Sequence, residues 1–143
     1  MSKVSQVKNN VQSILSQSFG SINVDSDGYI NIFHKSTLVS VSVEDFGNKN
    51  EDTVIDVRGV VSFNTKLSSD LLIWLNEKNS ISKFGKIYHL DSGKNTGIFF
   101  EYSLLGNYLD KEELLNAVAA VALISDELDD EAINLFGGKR FID

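Results

Sequence analysis

The spacing of apolar residues changes near Gly20, and this change separates a predicted helix from predicted strands. Before the glycine, apolar residues recur every three or four positions among polar ones: Val4, Val7, Val11, Ile14 and Phe19. A stripe of this period predicts an amphipathic helix that packs on one surface only. Gly20 is placed to end the helix, since glycine adopts the left-handed conformation beyond a last turn at little cost.

Beyond that helix, apolar and polar residues alternate, which predicts strands with one buried and one solvated face. The alternation covers residues 22–32, 39–43 and 55–63. Asp27-Gly28 favours a hairpin turn within the first stretch. The polar residues 47–52 predict a loop, and Gly59 predicts a bulge or a close approach of another element. Strands that follow one another through short turns favour an antiparallel meander.

The middle of the chain predicts a second helix followed by two more strands. The helix begins around residues 68–69, where a serine hydroxyl can cap free amide groups, and runs to about Lys78. Residues 87–90 and 96–104 then alternate as strands and complete a sheet of about five strands. The five large apolar residues 71–75 point in every direction around a helix, so one sheet cannot cover them all. We therefore expect a second covering element or a partner chain.

The C-terminal third predicts a long helix and a further short turn. Asp110 and Glu113 match a capping box, so the long helix begins there and runs to about Leu128. Its core face carries large apolar residues: Leu114, Leu115, Val118, Val121, Ile124 and Leu128. A short turn over residues 129–136, capped by its two leading aspartates, follows. The acidic run 126–130 is interpreted as a solvated junction, with attraction of a cation or a basic partner as the alternative.

A second stripe on the long helix, opposite its core face, is predicted to contact a partner. It combines small and apolar residues with polar ends: Asn116, Ala119, Ala120, Leu123 and Glu127. Trp74 is either a core residue among leucines or an anchor of an interface. The predicted partner-binding residues are Trp74, Asn116, Ala119, Ala120 and Leu123.

Composition excludes several classes of partner and of chemistry. The chain has 143 residues, with 20 acidic and 13 basic side chains and a net charge of −7. Such a surface repels phosphate backbones and anionic lipid, so neither nucleic acid nor a membrane is expected as a partner. No apolar run approaches the roughly 20 residues that span a bilayer, and no cysteine is present. We therefore expect a cytoplasmic protein. We also expect one domain over residues 1–143, because no proline, repeat or linker divides the chain.

The sequence Asn23-x-Asp25-x-Asp27-Gly28 partly matches a calcium-binding loop, which spaces oxygen ligands in this way. The twelfth position of the loop, where such sites require a bidentate Glu, is His34. Both flanks also alternate as strands and not as helices. We therefore interpret residues 25–28 as a hairpin turn, with a calcium-responsive module as an alternative, and we predict no metal site and no cofactor.

His34 and His89 are the two side chains whose ordinary pKa lies near neutrality. No pattern of nucleophile and base accompanies either, so we predict no catalytic residue and no enzyme. The alternative is a cryptic hydrolase-type site that uses a carboxylate, such as Asp56 or Glu101, near one of the two imidazoles.

A set of ordered motifs in the second half of the chain resembles a known family. The motifs are Leu75-Asn76-x-x-Asn79, Phe84-Gly85-Lys86, a helix over residues 113–124, the acidic run 126–130 and Phe136-Gly137-Gly138-Lys139-Arg140-Phe141. Together they resemble the YbjN-like branch of the type III secretion chaperone-like superfamily of bacteria, mainly over residues 67–141. The resemblance implies a non-enzymatic chaperone-like or regulatory protein, typically a dimer that holds extended client segments along apolar grooves.

The residues and the resemblance predict the same α+β architecture. It consists of an N-terminal helix, an antiparallel meander, a central helix, two further strands and C-terminal helices packed on the sheet. We predict a protein- or peptide-binding homodimer that acts through apolar helix and sheet surfaces. The chain carries no obvious signature of a particular client or of a secretion role.

Overall fold

A computed structural model describes residues 2–47, 52–93 and 96–142. Its elements are α1 (Lys3–Phe19), β1 (Asn23–Val24), β2 (Ile30–His34), β3 (Thr37–Phe46), β4 (Asp52–Phe63), α2 (Ser69–Ile81), β5 (Lys86–Leu90), β6 (Gly97–Leu105) and α3 (Lys111–Phe136). This order confirms the predicted α+β architecture. Most of the predicted loop over residues 47–52 lies outside the described residues.

The strands form one antiparallel sheet in the order β1-β2-β3-β4-β6-β5. The first four strands are a meander, and α2 then carries the chain past the position of β6 to the far edge. Strand β6 returns from β5 and pairs with β4, so that Gly59 lies opposite Phe100. The described sheet has six strands where the sequence indicated about five, and the hairpin predicted within residues 22–32 supplies two of them, the two-residue β1 and β2.

The sheet has an inner face covered by helices and an outer face that no described helix covers. Helices α1 and α3 both pack on β3 and β4. The inward residues of the strands form the core with three residues of α1: Ile30, Val39, Val41, Ile55, Val57, Ile98, Phe100, Val7, Val11 and Leu15. Leu15 is fully buried, whereas Phe19, predicted to be part of the apolar stripe, is exposed at the end of α1. The alternation thus fixes the inner face, while the end of α1 extends beyond the sheet.

Helix α3 continues without a break from Lys111 to Phe136, so the predicted division into a long helix and a separate turn is wrong. The aspartates at the predicted junction do not cap a new helix. Asp129 is buried and accepts a hydrogen bond from Ser36 Oγ at 2.9 Å, and Arg140 Nε lies 3.6 Å from the same carboxylate. Arg140 also pairs with Asp130. These tertiary partners allow two adjacent acids to lie within a continuous helix.

The buried stripe of α3 is shifted relative to the predicted core face. Leu114, Val118 and Val121 are buried as predicted, but the other three predicted core residues are only half-buried. Small and polar residues take their place in the interior: Ala117, Ala122, Ser125, Asp129 and Ala132. The close approach of α3 to β4 explains the shift, because a Cβ atom added at Gly59 would overlap Ser125 Oγ. The close approach predicted for this glycine is therefore confirmed, and the bulge lies just beyond it, between Val60 and Ser62.

The segment after α3 crosses the end of the sheet to the outer face. Lys139 pairs with Phe63, whose backbone N–H donates to Lys139 O at 2.7 Å. Phe141 then lies on the outer face, with its ring centroid 5.9 Å from that of Phe33 and 5.7 Å from that of Phe63. The C-terminal segment thus fixes the far end of α3 to the sheet.

Candidate functional site

A cleft of about 620 Å³ lies between the N-terminal half of α3 and the inner face of β6. We call it the α3–β6 cleft. Its floor is formed by Phe100 and Tyr102, and Phe84, from the connection between α2 and β5, forms one side. The helix supplies the remaining lining: Asp110, Glu113, Asn116, Ala117, Ala120 and Val121. The cleft is therefore mostly apolar, with polar and acidic groups along the helix.

The cleft exists because α2 covers only the C-terminal half of α3. Trp74 packs edge-to-face on Phe136, with ring centroids 5.5 Å apart, and Lys78 Nζ lies 2.8 Å from a carboxylate oxygen of Glu131. The later residue of α2 contacts the earlier residue of α3, so the two helices are antiparallel at this contact. Helix α2 then ends at Ile81 before it reaches the first turns of α3. The N-terminal half of α3 consequently has no helical neighbour on this side among the described residues.

Phe84 is held beside the cleft by its own neighbours. Its ring centroid lies 6.1 Å from that of Tyr102 in an edge-to-face arrangement, and the side chain is 57% exposed. The next residue, Gly85, has a positive φ of 74°, and a Cβ atom there would lie 2.9 Å from Phe100 Cζ and against the backbone of Glu101. Glycine therefore allows the chain to turn tightly against β6 and present Phe84 to the cleft.

The structure places four of the five predicted partner-binding residues on one side of α3. Asn116 and Ala120 line the cleft. Ala119 and Leu123 follow on the same exposed side, one turn apart, and Leu123 is 51% exposed. An exposed leucine beside an apolar cleft is a natural extension of a contact surface.

Trp74 lies apart from the cleft, in the interface of α2 with α3. It is 6% exposed, and its Nε1–H donates to Glu131 Oε1 at 3.1 Å. Hydrogen bonds from Lys78 and then from Trp74 lower the pKa of Glu131. The indole thus has a structural position, and the surface of this chain does not present it beside the other four residues.

Sequence reasoning missed the three aromatic residues of the cleft. Phe100 and Tyr102 belong to an alternating strand, which predicts a buried face but not a gap above it. Phe84 precedes Gly85 at the start of a strand. An aromatic residue in such a turn was the one feature of the sequence that could have indicated an exposed ring. Only the positions of α2 and α3 relative to each other show that a cleft lies beside these rings, with Phe84 exposed, Tyr102 half-buried and Phe100 buried at its base.

Helix α2 exposes apolar surface of its own. Leu71, Trp74 and Leu75 are buried, whereas Leu72 and Ile73 are 53% and 58% exposed. The prediction that one surface cannot cover residues 71–75 is therefore confirmed. The helix itself begins as predicted, with Ser68 Oγ accepting from Leu71 N–H at 3.1 Å.

A second hollow of about 570 Å³ lies on the outer face of the sheet. Its lining mixes rings with charges of both signs, including Phe63, Phe99, Arg58 and Asp25. The Arg58 guanidinium lies 4.9 Å from the centroid of the Phe99 ring. This hollow is more polar than the α3–β6 cleft and is a poorer match for an apolar segment.

The calcium-like sequence forms the hairpin turn between β1 and β2. Asp25 accepts hydrogen bonds from the backbone N–H groups of Asp27 and Tyr29 and from Asn31 Nδ2, each at 3.0 Å. These bonds, led by that from Asn31, lower the pKa of Asp25. Its oxygens thus stabilise the turn, and the described part of the chain brings no three acidic or histidine side chains together as a metal site.

The two histidines do not assemble an acid–base pair. His89 Nε2 lies 2.6 Å from Thr65 O, and His34 Nε2 is buried without a hydrogen-bond partner among the described residues. Asp56 instead accepts from Ser103, and Glu101 pairs with Lys86 at 3.3 Å. Nothing in this arrangement supports the hydrolase alternative.

None of the helices in the described ranges combines the length and the apolar character needed to span a bilayer.

Three solved structures share this fold at low sequence identity. A chain of the ExsC-ExsE complex has a TM-score of 0.67 at 13% identity, and the match covers 91% of this chain and 96% of that chain. The HopA1-SchA chaperone-effector complex gives 0.62 at 11%, covering 91% and 99%. The Yersinia pestis type III secretion chaperone SycH, in complex with a stable fragment of YscM2, gives 0.53 at 13%, covering 85% and 98%.

No curated protein sequence matches the chain. The sequence model of a family described as type III secretion (YopN, CesT) and YbjN peptide-binding chaperones matches residues 5–143. The match extends the resemblance, which rested mainly on residues 67–141, to the N-terminal half. The family consists of peptide-binding chaperones and not of enzymes. The chain therefore belongs to the TY-Chap1 family of type III secretion and YbjN peptide-binding chaperones.

Proposed function

We propose that this protein is a chaperone that binds an extended apolar segment of a client protein in the α3–β6 cleft. The observation that carries the proposal is an accessible, aromatic-floored cleft beside exposed apolar residues on α3. Its volume of about 620 Å³ falls within the roughly 300–1,000 Å³ of typical ligand pockets. Membership of a family of peptide-binding chaperones supports a polypeptide as the occupant.

The lining of the cleft suits side chains better than it suits a folded surface. Phe84 and Tyr102 offer accessible ring surface above the buried Phe100, and the small side chain of Ala120 allows a ligand to approach the helix closely. Leu123 extends the apolar surface by one turn. Burial of apolar side chains against such a surface is the main driving force for binding an unfolded segment. The neighbouring structures are also complexes, one of them named a chaperone-effector complex.

The test uses fluorescein-labelled, reduced and carboxamidomethylated ribonuclease A, an unfolded client of basic character, with binding followed by fluorescence anisotropy. Removal of the Phe84 ring by Phe84→Ala should weaken binding roughly 5- to 30-fold, as loss of a central aromatic contact costs about 1–2 kcal/mol or more. Leu123→Asp should weaken binding similarly, because it places a charge where an apolar side chain docks. Far-UV circular dichroism checks that both variants keep the fold.

Leu135→Asp is the matched control for added charge. Leu135 is also on α3 and is 58% exposed, against 51% for Leu123, but it lies about 18 Å further along the helix. The control should bind the client as the wild type does. Unchanged binding by both Phe84→Ala and Leu123→Asp would assign client binding to another surface.

For the predicted homodimer, we propose that the exposed face of α2 forms the interface. Leu72 and Ile73 are large apolar side chains that this chain leaves half in solvent. A stable interface buries about 1,200–2,000 Å² in total, so these two residues would be its centre and not its whole extent. Multi-angle light scattering at micromolar concentration should give a dimer for the wild type and a monomer for Ile73→Asp. A monomeric wild-type protein would contradict this part of the proposal.

A further inference from the structure

The charged residues of the α3–β6 cleft all have the same sign. Asp110 and Glu113 line the end of the cleft near the start of α3, and the described lining contains no Lys or Arg. Both residues are exposed. An apolar cleft that ends in two carboxylates repels an acidic segment and attracts a basic one.

The two carboxylates differ in the interactions that they already make within the chain. Asp110 Oδ1 is the N-cap of α3 and accepts from Glu112 N–H at 2.9 Å and from Glu113 N–H at 3.1 Å. Its charge is therefore partly balanced by the positive end of the helix dipole. Glu113 forms no ion pair with a basic side chain in the described part of the chain. Its carboxylate is consequently the stronger attractant for an incoming cation.

Aromatic rings line the same cleft, with Tyr102 on its floor and Phe84 at one side. Phe84 and Tyr102 form an edge-to-face pair and belong to the same cleft lining as Glu113. The faces of such rings attract Lys and Arg side chains, whose aliphatic stems also pack on apolar surface. A basic side chain entering here would meet a ring and a carboxylate, whereas a purely apolar one would meet only the ring.

We propose that the α3–β6 cleft selects client segments in which a Lys or Arg lies next to an apolar or aromatic residue. The apolar side chain would occupy the part floored by Phe100, and the basic side chain would reach towards Asp110 and Glu113. Charge complementarity favours such a client over a second copy of this chain, whose net charge is −7. The inference rests on the proposed function, since it requires the cleft to be the client site.

The test compares three fluorescein-labelled 12-residue peptides that share a Leu-Phe centre and differ at one adjacent position: Lys, Gln or Glu. Anisotropy at low salt should rank their affinities Lys above Gln above Glu. Each step should be about 1.5- to 5-fold, the range that exposed ion pairs give. Raising the NaCl concentration should compress the differences, because salt screens exposed charges.

The double variant Asp110→Asn/Glu113→Gln should abolish the Lys preference, so that it binds the Lys and Gln peptides equally. Asparagine caps helices as well as aspartate, so the fold is retained. Glu112→Gln/Glu127→Gln removes two exposed charges from the same helix outside the cleft lining and is the matched control. It should keep the Lys preference.

The outcomes separate the inference from the proposed function. Equal binding of all three peptides, or a Lys preference that survives in the cleft variant, would overturn the inference while leaving client binding intact. Binding of none of the peptides would overturn both. Peptide binding that occurs only as a dimer dissociates would assign the cleft to a second copy and would also overturn the inference.

Discussion

Replacement of Gly59 by alanine tests how closely α3 packs on the sheet. Gly59 lies in the middle of β4, between Val39 of β3 and Phe100 of β6. An added Cβ atom would overlap Ser125 Oγ and lie 3.0 Å from both Ser125 Cβ and Val121 Cγ1. Overpacking of this kind typically costs about 1–3 kcal/mol. The φ of Gly59 is not positive, so alanine regains roughly 0.4–1 kcal/mol through the unfolded chain.

The expected net loss for Gly59→Ala is therefore about 1–2 kcal/mol in the free energy of unfolding. Urea denaturation should show a midpoint lowered by roughly 0.5–1 M with an unchanged slope, taking a slope of about 2 kcal/mol/M. Ser125→Ala alone should cost little, because the Ser125 hydroxyl is buried without a hydrogen-bond partner among the described residues.

The double variant Gly59→Ala/Ser125→Ala removes the overlapping oxygen and should recover at least half of the loss. This recovery is the part of the prediction that is specific to the contact between α3 and β4. An unchanged or raised midpoint for Gly59→Ala would refute the reasoning, as would a double variant that shows no recovery.

Three further changes test the core, the sheet edge and a surface ion pair. Asn79 Nδ2 donates to Ile87 O and Asn79 Oδ1 accepts from Ile87 N–H, both at 2.9 Å. Asn79→Ala should therefore lower the free energy of unfolding by about 1–3 kcal/mol. It should also promote aggregation, because it leaves backbone groups at the edge of β5 unpaired. The exposed Asn76→Ala is its control, and equal urea midpoints for the two would contradict this role. Val118→Asp should abolish the far-UV circular dichroism of the folded state, because it buries a charge at a residue that is 1% exposed; a folded variant would show that this side of α3 is not interior. The lowered pKa of Glu131 means that its carboxylate stabilises the fold above the ordinary value of 4.5, and this contribution is lost as the pH falls through the lowered pKa. Glu131→Gln should therefore lower the urea midpoint slightly at pH 7, and its difference from the wild type should shrink as the pH falls below 4.5. A difference that grows with acid would contradict the sign.

Local patterns predicted most of the elements because their causes are local. The alternation of residues 39–43 and 55–63 fixes which face of β3 and β4 points inward. Ser68 begins α2 through a hydrogen bond to a residue three positions away. The hairpin at residues 25–28 is held by hydrogen bonds that Asp25 accepts from residues at most six positions away. Such features require no knowledge of the rest of the fold.

The features that the sequence did not show depend on distant residues. Asp129 remains inside α3 because Ser36, more than 90 positions earlier, donates to it. Ser125 is interior because Gly59 on another element leaves room for it. The α3–β6 cleft is open because α2 ends at Ile81, beside the C-terminal half of α3. A periodicity argument treats each element alone and cannot supply these relations.

The central claim is that a client segment occupies the α3–β6 cleft, and an NMR titration tests it most directly. Backbone and side-chain resonances of the labelled protein would be followed as the Lys-containing Leu-Phe peptide is added. We predict shift changes concentrated at Phe84, Tyr102 and Ala120, with Leu135 unaffected. Changes confined to the outer face of the sheet, around Phe99 and Arg58, would contradict the account.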